Sequence, residues 1–131
     1  MSLLAHTLGR NERLRGKRAI SDLFGNGSVF FIAPYKVFWT KVPDVDGVPS
    51  QFAISAPKRR FKRAVKRNLI KRRTREVFRV NKQILNDVVN SGQQIHLMLI
   101  YASDRLIPVS ELDTAMKKIL KCIACKYAES V

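Results

Sequence analysis

Hydrophobic residues along this chain change their spacing from segment to segment, and those changes mark the elements. From Lys17 to Phe24 the apolar residues Ala19, Ile20, Leu23 and Phe24 recur at one-, three- and four-residue steps. That spacing predicts a short amphipathic helix with a narrow apolar stripe, stopped by Gly25-Asn26-Gly27. Ser28 to Val42 is rich in Val, Phe, Tyr, Ile and Trp and reads as strand, broken near Ala33-Pro34. Alternation there sets Val37 and Trp39 on one side and Lys36 and Phe38 on the other. Pro43 to Pro49, with Asp44, Asp46 and Gly47, is a turn between antiparallel strands, and Phe52 to Ala56 is the returning strand.

A long helix is expected from about Phe61 towards Val89, stopped at Ser91-Gly92. Ile95 to Tyr101 is a nearly continuous apolar run, as in a strand covered on both faces. Ser110 to Tyr127 closes the chain as an amphipathic helix with Leu112, Met116, Ile119, Leu120 and Ile123 on one side. Strands and helices do not alternate strictly, which favours a single α+β domain over residues 1–131. Residues 1–12 show no clear period and read as a loosely ordered N-terminal arm.

Composition changes this picture at one place. The 131 residues suffice for one core and the apolar share of 46% is ordinary, but the net charge is +15. Eleven basic residues fall between Lys58 and Arg75 with no acid among them. Such density is self-repelling and suits a polyanionic partner, nucleic acid above all. Apolar residues spaced through the run argue against a disordered basic tail. At about 100° per residue, Val65, Leu69, Ile70, Val77, Val80, Ile84 and Val88 share one arc. Arg63, Arg67, Lys71, Arg75 and Arg79 follow at four-residue steps opposite, joined by Asn68, Arg72 and Lys82. Phe78 falls on the basic side, and Lys66 and Arg73 must reach outward from the apolar arc.

Other chemistry is sparse. Cys122-x-x-Cys125 lacks a second ligand pair, with His6 and His96 remote in sequence, so packing is the better reading. Asp44-x-Asp46 has no third carboxylate, and His96 within an apolar strand reads as structural. No apolar run approaches the roughly 20 residues of a membrane span. The opening residues have the wrong charge order for a signal peptide. A cytoplasmic protein with no membrane association is the expectation.

The run Ala64-Val65-x-Arg67-Asn68-x-x-Lys71-Arg72-x-x-Arg75-Glu76 resembles the RNR motif of the protein subunit of bacterial ribonuclease P. Arg13-Leu14, the helix ending Leu23-Phe24 with Gly27 after it, and Ser55-x-Pro57-Lys58-Arg59 extend the resemblance in the same order. The family often has an aromatic at the position of Ile20 and a glycine near Lys62. The resemblance implies a two-layer α-β-β-β-α-β-α domain with a left-handed βαβ crossover, against the usual right-handed rule. It implies a ribonucleoprotein whose RNA subunit, using Mg²⁺, removes the 5′ leader of precursor tRNA. No cofactor is then bound by the protein alone, no catalytic residue lies on it, and no protein partner is required.

By the same resemblance Arg67, Asn68, Lys71, Arg72 and Arg75 contact ribonuclease P RNA, with Lys58, Arg59 and Arg63 extending the patch. Asn68 has three roles open to it: capping, ordering an arginine, or bonding RNA. The single-stranded leader would lie in a groove between the first helix and the exposed sheet face, with Phe24, Lys36 and Phe38 as candidates. Core packing is the competing reading for both phenylalanines, and Tyr35 and Trp39 are weaker candidates. The alternative for the whole chain is a ribosomal-type structural RNA-binding protein without a catalytic role. A DNA-binding helix would require duplex affinity and usually dimer symmetry, for which the sequence carries no signal.

Overall fold

The computed structural model describes residues 12–44 and 47–130, so His6 and Asp46 lie outside the described residues. The elements run α1 (Lys17–Asn26), β1 (Ser28–Ile32), β2 (Tyr35–Pro43), β3 (Ser50–Ser55), α2 (Ala64–Asn81), α3 (Gln83–Asn86), β4 (Gln93–Tyr101) and α4 (Val109–Ser130). The expected order is present, with α3 as a single additional turn. Gly27 ends α1 because nothing larger fits: a Cβ there would lie 2.4 Å from the Leu23 carbonyl oxygen. The same close approach lets the Gly27 N–H donate to that oxygen at 2.9 Å.

The four strands form one sheet in the order β1-β2-β4-β3. β1 pairs antiparallel with β2, β2 antiparallel with β4, and β3 parallel with β4. The turn after β2 therefore does not close a hairpin: β4, arriving from much later in the chain, separates β2 from β3. Leu14 extends the far edge, its N–H donating to the Phe52 carbonyl at 2.9 Å.

β3, α2 and β4 form the parallel crossover, and backbone chirality fixes its hand. Ile95 points its side chain into the core and its N–H towards Pro49 on the β3 side. For L-residues, viewed from the core face with β4 running upward, that direction is to the right. β3 thus lies to the right of β4 while α2 lies in front, a left-handed crossover and the exception to the usual rule.

One face of the sheet is covered by α2, α3 and α4. Tyr35, Val37, Ile95, Leu97, Leu99 and Tyr101 meet Leu112, Met116, Ile119, Leu120 and Ile123 there, all fully or nearly fully buried. The α4 stripe is the one its spacing predicts. β4 is not covered on both faces: Ile95, Leu97, Leu99 and Tyr101 are buried, whereas His96, Met98 and Ile100 between them are half-exposed. That second face stays largely open, with α1 lying across part of it.

α2 sits differently from its expected arc. The buried positions are Ile70, Thr74, Val77, Phe78 and Asn81. Val65 is 78% exposed, and Val80 and Val88 also face solvent. Phe78 is fully buried and stacks on Phe52 with centroids 4.2 Å apart and planes 6° from parallel, a contact worth about 1 kcal/mol beyond its area. Thr74 and Asn81 tolerate burial because each has partners. Thr74 shares a 2.6 Å hydrogen bond with the Tyr35 hydroxyl. The Asn81 amide donates to Val77 O at 2.7 Å and to Asp113 Oδ1 at 2.6 Å. Helical continuity breaks at Lys82, and Lys82 leaves the expected basic face, buried with its Nζ 2.7 Å from Glu12 Oε2. Of the arm expected over residues 1–12, Glu12 alone is described, and its carboxylate is held by Lys82.

Candidate nucleic-acid interface

Two surfaces carry the charge and the exposed rings. On the first, Lys58 and Arg59 follow Pro57 at the end of β3, Arg63 flanks α2, and Arg67, Lys71, Arg72 and Arg75 project from the helix. Lys58, Arg59, Arg63, Asn68, Arg72 and Arg75 are exposed, while Arg67 and Lys71 are half-buried. None of the seven cations forms a salt bridge among the described residues. Among the described residues the neighbouring cations that pair are Arg60, with Asp104, and Arg79, with Glu76. The Arg79 hydrogen bond, then its charge, lowers the Glu76 carboxyl below its ordinary range. The one acid on α2 is thus turned to the helix's last turn and away from the cationic part.

Four-residue steps drift by about 40° per step on a helix of 3.6 residues per turn, so the cationic row winds around α2 and does not form a straight rail. At its start Arg67 does local work: its Nη1 donates to the carbonyls of Phe61 at 2.7 Å and Lys62 at 2.8 Å. That clasp orders the chain leading into the helix, where this sequence has Lys62. Asn68 neither caps α2 nor orders an arginine among the described residues, leaving its amide outward.

The second surface is the open sheet face. Phe24, Lys36 and Phe38, separated in sequence, are brought together there. The Phe24 and Phe38 rings meet edge to face at 4.7 Å, and Lys36 Nζ stands 5.4 Å from the Phe38 centroid. Phe24 is 45% exposed and Phe38 half-buried, so neither belongs to the main core. Tyr35 and Trp39 do belong to it and are withdrawn from the groove. Burial raises the Tyr35 hydroxyl above the ordinary tyrosine range, which keeps it neutral against Thr74.

Between the two surfaces lies a depression of ≈ 330 Å³ whose rim carries Arg13, Arg15 and Arg75 and whose floor includes Ile20, Ala53 and Met98. Arg13 and Arg15 were not among the sequence candidates. They lie in an irregular segment with no period to reveal a face, and only its return to the β3 edge brings them to Arg75. Elsewhere, His96 bonds the Gln94 side chain at 2.9 Å, and Cys122 and Cys125 are free thiols on α4. No helix among the described residues is long and apolar enough to cross a membrane.

The fold and these surfaces define a small basic α+β domain in which an acid-poor cationic helix flanks an open, aromatic-bearing sheet. The ribonuclease P family model matches residues 8–124. A Porphyromonas gingivalis ribonuclease P protein component is 37% identical over 119 residues, covering 89% of this chain and 86% of that protein. Its Chlorobaculum tepidum counterpart is 32% identical over 105 residues, covering 73% of this chain and 68% of that one. The chain belongs to the ribonuclease P protein family. At the level of fold it is similar to the Thermotoga maritima RNase P protein, with TM-score 0.68 and 22% identity over 85% of this chain and 96% of that one. The Staphylococcus aureus RNase P protein gives 0.66 and 20% over 86% and 94%.

Proposed function

We propose that this chain is the protein component of a ribonuclease P ribonucleoprotein, binding the catalytic RNA and the single-stranded 5′ leader of precursor tRNA. The observation that carries the reading is the group of Lys58, Arg59, Arg63, Arg67, Lys71, Arg72 and Arg75, left without acid partners among the described residues. Long cations suit the RNA subunit because phosphate contacts depend on charge and reach. The Phe24–Phe38 pair with Lys36 supplies rings and a cation, as a single strand requires. Leader binding gives the complex affinity for precursor that mature tRNA cannot share, which separates substrate from product.

Mg²⁺ supplies the hydrolytic chemistry on the RNA. Among the described residues no three His, Cys, Asp or Glu side chains converge to hold a metal. The protein's part is to neutralise phosphates and position the leader.

The test mixes the protein with bacterial ribonuclease P RNAs from several sources and a precursor tRNA at low Mg²⁺. Stimulated removal of the leader is expected. No stimulation with any RNA, despite RNA binding, would leave a purely structural RNA-binding role. Phe38→Ala is expected to weaken affinity for precursor more than for mature tRNA, and equal losses would reject the groove.

A further inference from the structure

The open face carries a second aromatic step beyond the Phe24–Phe38 pair. Phe31 is 60% exposed and Val29 53% exposed, both on the edge strand β1. Their neighbours Phe30 and Ile32 pack against the core, so alternation turns Val29 and Phe31 to the open side. The register places Phe31 opposite Lys36 and Val29 opposite Phe38. A single exposed phenylalanine is ordinary. Phe31 is distinguished by its company: across from a lysine, and diagonal to Phe38 at about 7–8 Å.

We infer that Phe31 is a further base-stacking position for single-stranded RNA. The strand then crosses the sheet from the arginines at the β3 edge to the aromatic at the β1 edge. The inference rests on the proposed leader groove and extends its path. Charge selects the occupant: Val29, Phe31, Lys36, Phe38, Met98 and Ile100 present rings, apolar surface and a cation but no carboxylate, and Arg13, Arg15 and Arg75 close the far end. Three inter-strand spacings give a path of about 14 Å. That is roughly two to four nucleotides, from the 3.4 Å duplex rise to about twice it. The ring therefore meets the leader several nucleotides away from the end held near α2.

The test assembles the holoenzyme with a bacterial ribonuclease P RNA and measures affinity for precursor tRNAs whose leaders run from about one to about ten nucleotides. Wild type is expected to gain affinity with length and then plateau. Phe31→Ala is expected to bind the long leaders about tenfold more weakly, within the range of one lost stacking contact, and the shortest leaders as wild type does. Phe31→Trp is expected to restore the long-leader affinity.

Equal affinities for wild type and Phe31→Ala at every length would overturn the inference while leaving the groove standing. Equal loss at all lengths, mature tRNA included, would also overturn it, marking a structural role for Phe31. A dimer of the free protein abolished by Phe31→Ala would assign the face to a second copy and overturn it likewise. Wild-type affinity independent of leader length would instead overturn the groove itself.

Discussion

The hydrogen bond between Tyr35 and Thr74 ties the cationic helix to the sheet that bears Lys36, and its removal has a cost that depends on which partner is lost. Both residues are fully buried and their oxygens are 2.6 Å apart. In Thr74→Val the Tyr35 hydroxyl loses its partner in a site that excludes water, at a cost of about 1–3 kcal/mol. In Tyr35→Phe the threonine hydroxyl can turn to the Ile70 carbonyl one turn earlier, so the cost is nearer about 1 kcal/mol. The double variant removes both polar groups and is expected to be less destabilised than the sum of the singles, by about 1 kcal/mol or more. Urea unfolding reads this out. With a slope of about 1–3 kcal/mol/M, Thr74→Val lowers the midpoint by roughly 0.5–2 M at unchanged slope. The same bond has a pH signature. Burial, the largest cause, raises the folded pKa of Tyr35, so its contribution is complete below the ordinary tyrosine value of about 10 and declines above it. Tyr35→Phe is expected to flatten that alkaline decline, with Tyr101, also raised by burial, keeping part of it. A Thr74→Val protein as stable as wild type, or a double variant worse than the sum, would refute the reasoning.

Three further expectations use other contacts. Glu12→Gln removes the acid from Lys82, whose side chain is only 6% exposed, and is expected to cost about 2–4 kcal/mol in urea unfolding. Replacing Lys82 by Met is expected to cost less, since the charge then left unpaired is that of Glu12, whose side chain keeps more contact with water at 14% exposure. The Asp113 carboxyl is held below its ordinary range by the Asn81 amide first and by Lys117 next. Its contribution is therefore present above about pH 4 and lost as pH falls through the lower folded value. Asp113→Asn should weaken that acid dependence in pH-resolved thermal melts. If about six phosphates are contacted, log K for the RNA falls with log salt at a slope of roughly −4 to −5, and Arg72→Ala makes the slope shallower by about 0.7–0.9. Affinity independent of salt would reject phosphate recognition.

The elements were legible wherever one local rule decided them. The stripe of α4 packs as its three- and four-residue spacing requires because those residues face a single apolar layer. β2 alternates as written because one side meets that layer and the other does not. α2 defeated the same reasoning. Thr74, Phe78 and Asn81 are buried while Val65 and Val80 are not. Polar residues could be buried there because Tyr35 and Asp113, distant in sequence, supply hydrogen bonds that a periodicity cannot register. The strands on either side of the turn run antiparallel as expected, but the place of β3 depended on β4, some forty residues later, which lies between them. The site followed the same division. Alternation put Lys36 and Phe38 on one face, but only the fold of α1 across that face brings Phe24 to Phe38.

Topology also accounts for why the cationic surface and the open face adjoin. β3 runs directly into Pro57, Lys58 and Arg59, so the basic turn leaves the sheet at the end of β3 marked by Ser55. Across the parallel and antiparallel registers, Ser55 shares its row with Ile100, Lys36 and Phe31. The row carrying Lys36 and Phe31 therefore lies at the sheet end from which the cations depart. A hairpin between β2 and β3 would have set Lys36 beside β3 and excluded Met98 and Ile100 from the face. Placement of the acids reinforces this layout: Glu12 is held by Lys82, Glu76 by Arg79, Asp104 by Arg60, and Asp113 by Asn81 and Lys117. Lys58, Arg59, Arg63, Arg67, Lys71, Arg72 and Arg75 consequently keep no acid partner among the described residues, and a polyanion meets least repulsion where that turn joins the open face.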